Sequence, residues 1–316
     1  MFKLVIVGTV MALVSAMPSN INKAHPINAD MVAAISQRTN SWVAHTPETN
    51  PLANMTRAQL LELVGTNVPA PRFEVAEDQY SPVSALPTNF DPRTDAAWKS
   101  CIHPVRDQQQ CGSCWAFGSS EALSDRFCKA GKNVILSPQD QVSCDYNNYG
   151  CDGGYINLAW TYLTNTGIVT DACLPYASAS GVAPACPTNK QCKDGSVWTK
   201  YKCTAGSVVN PTTPSAISTE LFNNGPLEGA FTVYEDFFNY QSGVYYHVTG
   251  GVAGGHAIKV IGFGVENGLN YWLCANSWGT SWGMTGFFKI KQGDSGINQQ
   301  VYGCTPNLAA AEPILF

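Results

Sequence analysis

The chain has 316 residues, enough for two domains or for one domain preceded by a processed segment. Apolar residues make up 45% and charged residues 13%, which argues against a disordered chain and against a bundle of membrane-spanning helices. The formal net charge of −5 offers no basic surface, so nucleic acid is not expected as a partner.

The first residues have the pattern of a secretory signal peptide. Lys3 precedes an apolar run from Leu4 to Val14, which is too short to cross a bilayer, since a spanning helix needs about 20 residues. Small residues then form a cleavage pattern ending at Ala16, so we expect residues 1–16 to be removed. A buried first helix is the alternative. No second apolar run of spanning length follows, so no membrane anchor is expected.

Residues 17–85 contain no cysteine and are predicted to form a separate, modest segment. A weakly helical stretch covers 30–38. A second helix is predicted behind Thr56, because Gln59 completes a capping box, an apolar run follows, and Gly65 is a stop signal. From residue 68 to 87 the chain is rich in Pro, Ser and acidic residues, which predicts an extended linker open to proteolysis.

The remaining sequence places helices before strands. Residues 113–130 are predicted to be a helix that ends at Gly131, and a shorter helix is expected at 155–164. Residues 173–214 resemble a loop. From about Val208 onward, apolar and polar residues alternate with aromatic and β-branched enrichment, which predicts a sheet. Four residues share one face of the first helix: Ala116, Ser120, Leu123 and Phe127.

The sharpest chemical pattern is Cys111-Gly112-Ser113-Cys114-Trp115. A zinc site would need a second pair of cysteines at similar spacing, and the sequence has none. A thioredoxin-like redox pair would need a β-α-β context, which this helix-then-loop region lacks. The third interpretation places Cys114 in the first turn of the helix, where the peptide dipoles favour a thiolate. Such a nucleophile needs a neighbouring base, and histidine is the candidate.

Three histidines follow residue 85. His103 precedes a proline in a polar stretch, and His247 lies in a strand-like run, so both are interpreted as structural or surface residues. His256 is different because two glycines precede it and a strand begins immediately after it. Glycine permits a close approach to the base, so His256 is the predicted partner of Cys114.

A hairpin is predicted to bring a third residue to His256. The strand after His256 meets Asn267-Gly268, a strong hairpin turn, and the return strand ends at Asn276. Both residues therefore reach the same open end, although their register is a few residues from direct pairing. We expect a bulge near Gly262 or Gly264 to absorb that difference. The Asn276 amide oxygen would then hold the imidazole in the tautomer that a thiolate requires.

Further motifs follow in order along the chain: Arg106-Asp107-Gln108, CGSCWAFG at 111–118, CDGGY at 151–155, GPLEGAF at 225–231, SGVY at 242–245, GGHAI at 254–258 and ANSWG at 275–279. Together they resemble the papain-like cysteine proteases, and within this family the cathepsin B-like group. The resemblance implies an α+β, papain-like fold of two domains with an N-terminal propeptide. A helical left domain would cover 86–207 and a β-barrel-like right domain 208–316.

The resemblance also implies a role for each site residue. Cys114 would attack the peptide carbonyl as a thiolate, His256 would share the ion pair and protonate the leaving amine, and Asn276 would orient His256. Gln108 and the backbone N–H of Cys114 would form the oxyanion hole. No metal or organic cofactor is implied, only reducing conditions. The residues implied in substrate binding are Gly153, Gly154, Tyr155, Ile156, Ala230, Gly255, Ala257, Trp278 and Gln300.

All twelve cysteines lie between Cys101 and Cys304. With Cys114 set aside eleven remain, so at least one more is unpaired. Cys274 is the choice, because a small buried thiol suits its apolar strand. The resemblance then implies five disulfides: Cys101–Cys128, Cys111–Cys151, Cys144–Cys186, Cys173–Cys192 and Cys203–Cys304.

Two departures from the cathepsin B-like pattern bear on specificity. That group is distinguished by a loop with two adjacent histidines, which bind the substrate's terminal carboxylate and make the enzyme a dipeptidyl carboxypeptidase. Here the corresponding stretch, 173–192, has no histidine and is almost uncharged, which favours an endopeptidase with an open cleft. Gln300 stands where a glutamate is expected in the pocket for the second residue before the scissile bond, so apolar residues should be preferred there. A dipeptidyl carboxypeptidase and a non-catalytic binding homologue remain the alternatives.

The resemblance finally implies that the chain is a zymogen, with peptides and proteins as substrates. Residues 17–85 would be a propeptide that lies backwards through the cleft and blocks Cys114 until acid loosens it. Cleavage near Ala85–Leu86 would release the mature enzyme. A monomer is expected, either lysosomal or vacuolar, or secreted.

Overall fold

The computed structural model describes residues 25–67, 86–98 and 100–309. The expected signal peptide and most of the linker lie outside these residues, as does Ala85, which precedes the expected cleavage site. None of the helices within the described ranges has the length and apolar character needed to cross a membrane. The helices are α1 (Ala29–Arg38), α2 (Arg57–Glu62), α3 (Cys114–Lys129), α4 (Pro138–Cys144), α5 (Ile156–Asn165) and α6 (Pro214–Asn224).

Four of these helices confirm predictions from the sequence. α3 is the long helix that begins at Cys114, and its middle is buried almost all round. α5 and α1 lie within one residue of the expected bounds. At α2 both halves of the capping box are formed, since the Thr56 hydroxyl accepts from the Gln59 N–H and the Gln59 amide accepts from the Thr56 N–H.

Two helices differ from the sequence prediction. α4 lies between the helices predicted at 113–130 and 155–164, where no helix was predicted, and α6 interrupts a region predicted to consist of strands. Each begins with a hydroxyl cap followed by proline at the first helical position: the Ser137 hydroxyl accepts from Asp140 N–H, and the Thr213 hydroxyl from Ala216 N–H. Proline there loses no hydrogen bond and already has the helical φ angle, so these caps mark helix starts that the general composition concealed.

The strands form one seven-stranded sheet in the order β1-β3-β6-β5-β4-β2-β7. Within the described residues β1 and β7 are its two edges, so the term β-barrel describes it only loosely. β1 belongs to residues 25–67, called the N-terminal segment below, and pairs with β3 from the later part of the chain. The strands are β1 (Trp42–Ala44), β2 (Leu227–Tyr234), β3 (Tyr240–Tyr245), β4 (Val252–Glu266), β5 (Leu269–Ala275), β6 (Phe287–Lys291) and β7 (Gln300–Tyr302).

The hairpin of β4 and β5 has the predicted turn and the predicted bulge. Asn267 and Gly268 have φ angles of 50° and 79°, as a tight turn between twisted strands requires. The register shifts between Val260 and Gly262, which confirms the bulge near Gly262. This shift determines where the far ends of the two strands, which carry His256 and Asn276, lie relative to each other.

The start of the expected mature chain is fixed to the back of β4. Phe90 and Phe263 exchange both backbone hydrogen bonds, at 2.8 and 3.0 Å. Phe90 and Trp98 are buried in the same apolar cluster as β2, β4 and β5. Phe90 and Trp98, which the sequence boundaries assign to the left domain, therefore pack against the core of the sheet, although most residues around them are exposed or half-buried.

Five disulfides stabilise the chain, and they are the pairs implied by the resemblance. Cys114 and Cys274 are the free thiols, both buried. Cys203–Cys304 closes the longest loop, 101 residues, and a long loop loses the most unfolded-state entropy when it is closed. The pairs are Cys101–Cys128, Cys111–Cys151, Cys144–Cys186, Cys173–Cys192 and Cys203–Cys304.

Candidate active site

Cys114 is the first residue of α3, and the chain before it is closely packed. The disulfide Cys111–Cys151 fixes the approach to the helix. A Cβ atom at Gly112 would lie 2.5 Å from the Cys151 carbonyl oxygen, so this position requires glycine. The thiol therefore lies at the positive end of a 16-residue helix, where the dipole favours a negative charge.

His256 is held by the side chain of Asn276. The Nε2 atom lies 2.7 Å from Asn276 Oδ1, which also accepts from the Ser277 N–H at 2.8 Å. Because that oxygen can only accept, Nε2 must carry the ring proton. Nδ1 of the neutral ring is then an acceptor, as a base for the thiol would need. The hairpin thus fixes both the position and the tautomer of this candidate base.

Trp278 covers this hydrogen bond. Its ring centroid lies 4.7 Å from that of His256, and the Trp278 side chain is 4% exposed. Phe237, Phe238 and Trp282 pack around the indole. A hydrogen bond shielded from water in this way is electrostatically stronger than an exposed one.

The side-chain amide of Gln108 is fully buried and fixed in orientation. Its Oε1 accepts from the Ser277 hydroxyl at 2.6 Å, which leaves Nε2 to donate to the carbonyls of Cys111, at 2.9 Å, and Leu63, at 3.1 Å. The backbone N–H of Gln108 donates to the Ser277 carbonyl. The segment carrying Asn276 thus also positions the candidate oxyanion donor.

The N-terminal segment passes directly over these residues. The Thr66 hydroxyl lies 2.9 Å from the Cys114 sulfur. The backbone bridges both walls of the cleft, because Thr66 N–H donates to the Gly255 carbonyl at 3.0 Å and Gly154 N–H donates to the Gly65 carbonyl at 2.9 Å. At both bridges the N-terminal segment runs parallel to the stretch of chain that it pairs with. The Leu63 carbonyl accepts from Gln108 Nε2 at 3.1 Å and also lies near the His256 ring. Nδ1 of that ring makes no well-formed hydrogen bond within the described part of the chain.

Burial keeps both reactive groups uncharged in this form. It raises the pKa of the Cys114 thiol above its usual value, although hydrogen bonds from Thr66, Ala257 and Gly65 oppose the shift. It also lowers the pKa of His256 to about 4, against the opposing effect of Asn276. The covered pair is therefore a thiol and a neutral imidazole at neutral pH.

Most of the residues implied in substrate binding lie together beside Cys114. Ala257, Ala230 and Gln300 are direct neighbours across β4, β2 and β7. Ile156 packs in one apolar cluster with Ala230, Ala257 and Cys114. Gly153 and Gly154 lie beneath the N-terminal segment, Gly255 bridges its other side, and Tyr155 is 39% exposed.

The loop 173–192 is closed by its own disulfide and has no charged group at the cleft. Its one cationic side chain, Lys190, lines a separate pocket of about 600 Å³ together with Lys200, Lys202 and Trp198. The pocket beside Gln108 is smaller, about 290 Å³, and no described residue of the loop lines it. Its walls are Pro51, Leu52, Met55, Leu63, Asp107, Gln109, Gln110, Trp278 and Ser281.

The other two histidines beyond residue 85 have structural partners. His103 Nδ1 lies 2.6 Å from the buried carboxylate of Asp125. The His247 ring stacks on Tyr234 with the centroids 3.6 Å apart and contacts Asp236. Neither ring contacts Cys114.

Sequence reasoning missed two residues that contact this site. Ser277 orients Gln108, and its one sequence signal is its position inside the ANSWG motif. Thr66 contacts the Cys114 sulfur, yet the one sequence signal beside it is Gly65, which predicts only the end of a helix. Both roles depend on contacts between distant segments.

Comparisons with known proteins agree with this geometry. Residues 86–305 match the family described as papain family cysteine protease. Cathepsin B of Dictyostelium discoideum is 37% identical over 286 residues, covering 84% of this chain and 88% of that protein. Cathepsin B-like CP3 of Giardia intestinalis is 46% identical over 225 residues, covering 69% and 74%. The structure of proCathepsin B S9 from Trypanosoma congolense superposes with a TM-score of 0.79 at 31% identity, covering 90% of this chain and 100% of that one.

Proposed function

The chain belongs to the papain family of cysteine proteases, with a cathepsin B-like sequence, and we propose that it is a zymogen which becomes an endopeptidase when acid loosens residues 17–85. The observation that carries the endopeptidase proposal is the loop 173–192. It places no histidine and no cation at the cleft, where a free C-terminus would have to be bound. A buried carboxylate without a cationic partner is strongly disfavoured.

We assign the chemistry to four residues. Once the N-terminal segment leaves, solvent and the helix dipole stabilise the Cys114 thiolate, and Nδ1 of His256 holds the proton. The thiolate attacks the peptide carbonyl, and His256 then protonates the leaving amine. Asn276 keeps the imidazole in position. Gln108 Nε2 and the Cys114 N–H stabilise the developing oxyanion, a contribution of about 3–4 kcal/mol per donor.

We further propose that the structure's N-terminal segment is the inhibitory part of a propeptide covering 17–85, followed by catalytic domains at 86–207 and 208–316. The contacts of Leu63 and Thr66 with the site support this assignment. A signal peptide at 1–16 and five disulfides support secretion or delivery to a lysosome or vacuole. A monomer is also proposed.

The endopeptidase proposal is tested with two peptides of one sequence, one with a free C-terminus and one amidated. The chain is activated at acid pH under reducing conditions, and products are identified by mass spectrometry with Cys114→Ala as the blank. We expect internal cuts in both peptides at similar rates. Stepwise loss of dipeptides from the free acid alone would show that another group binds the carboxylate.

The proposed preference for an apolar residue at the second position before the scissile bond rests on Gln300. Gln300 is uncharged and pairs across the sheet with Ala230, which in turn pairs with Ala257 on its other side. We expect substrates with Leu or Val at that position to exceed their Arg analogue in kcat/KM. Gln300→Glu should raise kcat/KM for the Arg analogue by at least tenfold, since a charge pair in a partly buried pocket is worth more than 1.4 kcal/mol. Equal or better turnover of Arg by the unmodified enzyme contradicts the proposal.

A further inference from the structure

Tyr176 lies near the start of the loop 173–192. Its hydroxyl joins two segments that the proposed mechanism uses, although that mechanism gives Tyr176 no role of its own. Its hydroxyl donates to the backbone carbonyl of Gln108 at 2.8 Å. The same hydroxyl lies 2.9 Å from the hydroxyl of Ser113, the residue before Cys114. One phenol oxygen therefore connects Gln108, whose side chain is one proposed oxyanion donor, to Ser113. The residue after Ser113 is Cys114, whose backbone N–H is the other proposed donor.

The direction of each hydrogen bond follows from counting protons. A phenol has one proton, and the Gln108 carbonyl can only accept, so Tyr176 donates to Gln108. The Ser113 hydroxyl must then donate to Tyr176. Burial raises the pKa of Tyr176 to about 12, so the phenol keeps this proton throughout the working range of the enzyme. The chain of hydrogen bonds has a single polarity, from Ser113 through Tyr176 to Gln108.

Tyr176 is itself held on a rigid support. Its ring packs edge-on against Phe117 of α3, with the centroids 4.8 Å apart. The next residue, Ala177, donates its N–H to Gln139 of α4 at 2.7 Å. Further along, the Ala179 carbonyl accepts from Gln110 N–H at 3.2 Å. The hydroxyl is therefore fixed by contacts that do not depend on the N-terminal segment.

We propose that Tyr176 is a positioning residue of the oxyanion hole, setting the separation between Gln108 and the backbone N–H of Cys114. This inference rests on the proposed peptidase function. It implies that the base of the loop 173–192 serves catalysis rather than recognition of a substrate terminus. Because the oxyanion exists only in the transition state, losing the hydroxyl should lower kcat and leave KM nearly unchanged.

The test uses Tyr176→Phe, which removes the hydroxyl and keeps the ring, in acid-activated enzyme. We expect kcat to fall about tenfold with KM within twofold, a smaller loss than the ~100- to 1000-fold cost of deleting an oxyanion donor. Affinity for a peptide aldehyde, which forms a tetrahedral adduct with Cys114, should fall in parallel. Alkylation of Cys114 by iodoacetamide, which forms no oxyanion, should keep its rate.

Tyr162→Phe is the matched control. It also removes a buried phenol hydroxyl, one that donates to Asp140 at 3.1 Å and does not touch the site. It should leave kcat and aldehyde affinity unchanged, whatever it does to thermal stability. In a second comparison, Tyr176→Phe added to Gln108→Ala should cause little further loss, since the hydroxyl acts through the oxyanion hole.

Three results would overturn the inference: an unchanged kcat in Tyr176→Phe, an equal fall in the alkylation rate, or a full additional loss on top of Gln108→Ala. Failure of the peptidase proposal is separate, because it would show as an unmodified enzyme no more active than Cys114→Ala. The inference on Tyr176 is judged by comparing its variant with an active parent.

Discussion

At the scale of single residues, Cys114 and His256 are kept uncharged by the segment that covers them. Burial raises the pKa of the thiol and lowers the pKa of the imidazole to about 4. The thiolate and imidazolium that the chemistry needs would both have to lose their hydration in the covered site. The N-terminal segment therefore opposes formation of the reactive pair in addition to excluding substrate.

This state predicts how the zymogen reacts with iodoacetamide between pH 5 and 8. Because its thiol pKa lies above the usual value, Cys114 stays protonated over this range, and alkylation should be at least tenfold slower than in the activated enzyme. The measurement is the rate of labelling at Cys114, followed by mass spectrometry. Cys114→Ala serves as the blank for the other thiol, Cys274. Equal rates in zymogen and activated enzyme would show that the covering segment does not suppress the thiolate.

At the scale of elements, sequence patterns predicted those parts whose signals are local. α3 follows from its apolar stripe and its terminal glycine, and the hairpin of β4 and β5 from Asn267-Gly268 with a bulge at Gly262. α4 and α6 were missed because their serine and threonine caps lie in stretches whose overall composition suggested loop or strand. Caps are more specific signals than composition in such regions.

The site itself was predictable only where a residue lies within a sequence motif. Cys114, His256 and Asn276 lie at element ends that the sequence marks with glycine or a turn. Ser277 and Tyr176 act by hydrogen bonds to Gln108 from segments 169 and 68 residues away. The sequence holds no local trace of such contacts, because they exist only after segments distant in the chain have packed together.

Close docking of the N-terminal segment in the cleft requires a glycine at position 65. A Cβ atom at Gly65 would overlap the carbonyl oxygen and Cα of Gly112, which are backbone atoms with little freedom to move. Gly65→Ala should therefore weaken docking by about 1–3 kcal/mol, the usual cost of overpacking. We expect this zymogen to show peptidase activity on a small peptide at neutral pH, at least about fivefold above the parent, the factor that 1 kcal/mol corresponds to.

Thr66→Ser is the control for that prediction. It keeps an oxygen next to the Cys114 sulfur and adds no atom, so its zymogen should stay inactive. If the Gly65→Ala zymogen is as inactive as its parent, the cleft adjusts to the added methyl group. Docking then depends on the rest of the N-terminal segment.

At the scale of the whole molecule, the N-terminal segment is fastened at places far from the cleft. β1 extends the sheet beside β3, Arg57 pairs with Glu235 at 2.7 Å, and Arg38 donates to the Val248 carbonyl at 2.8 Å. His45 is 8% exposed, and its Nε2 has no hydrogen-bond partner among the described residues. Protonating it would place an unpaired charge in this interface.

His45 predicts a direction for the pH dependence of activation. Burial lowers its pKa below the usual value of 6.5, so its contribution to docking is complete above about pH 6.5 and is lost as the pH falls below that value. His45→Gln, which cannot be protonated, should activate several-fold more slowly than the parent at pH 5. The measurement is the half-time of processing on a gel at pH 5 and pH 7.

The quantity to compare is the processing rate at pH 5 divided by the processing rate at pH 7. This ratio cancels any weakening of the docked N-terminal segment that does not depend on pH. Glu48→Gln is the matched control, since Glu48 is an exposed titratable group on the same turn. It should keep the parent's ratio. A His45→Gln ratio equal to the parent's would assign the acid response to other groups.

The pairing of Phe90 with Phe263 has a consequence for the kinetics of maturation. His256 and Phe263 are seven residues apart on β4, about 23 Å at 3.3 Å per residue, whereas residues 86–89 reach at most about 14 Å when fully extended. The estimated separation of His256 from Phe263 exceeds this reach, so while the pairing holds we expect the proposed cut near residue 85 to be made by another enzyme molecule. Conversion should accordingly begin with a lag that shortens as protein concentration rises, and a trace of finished enzyme should abolish it.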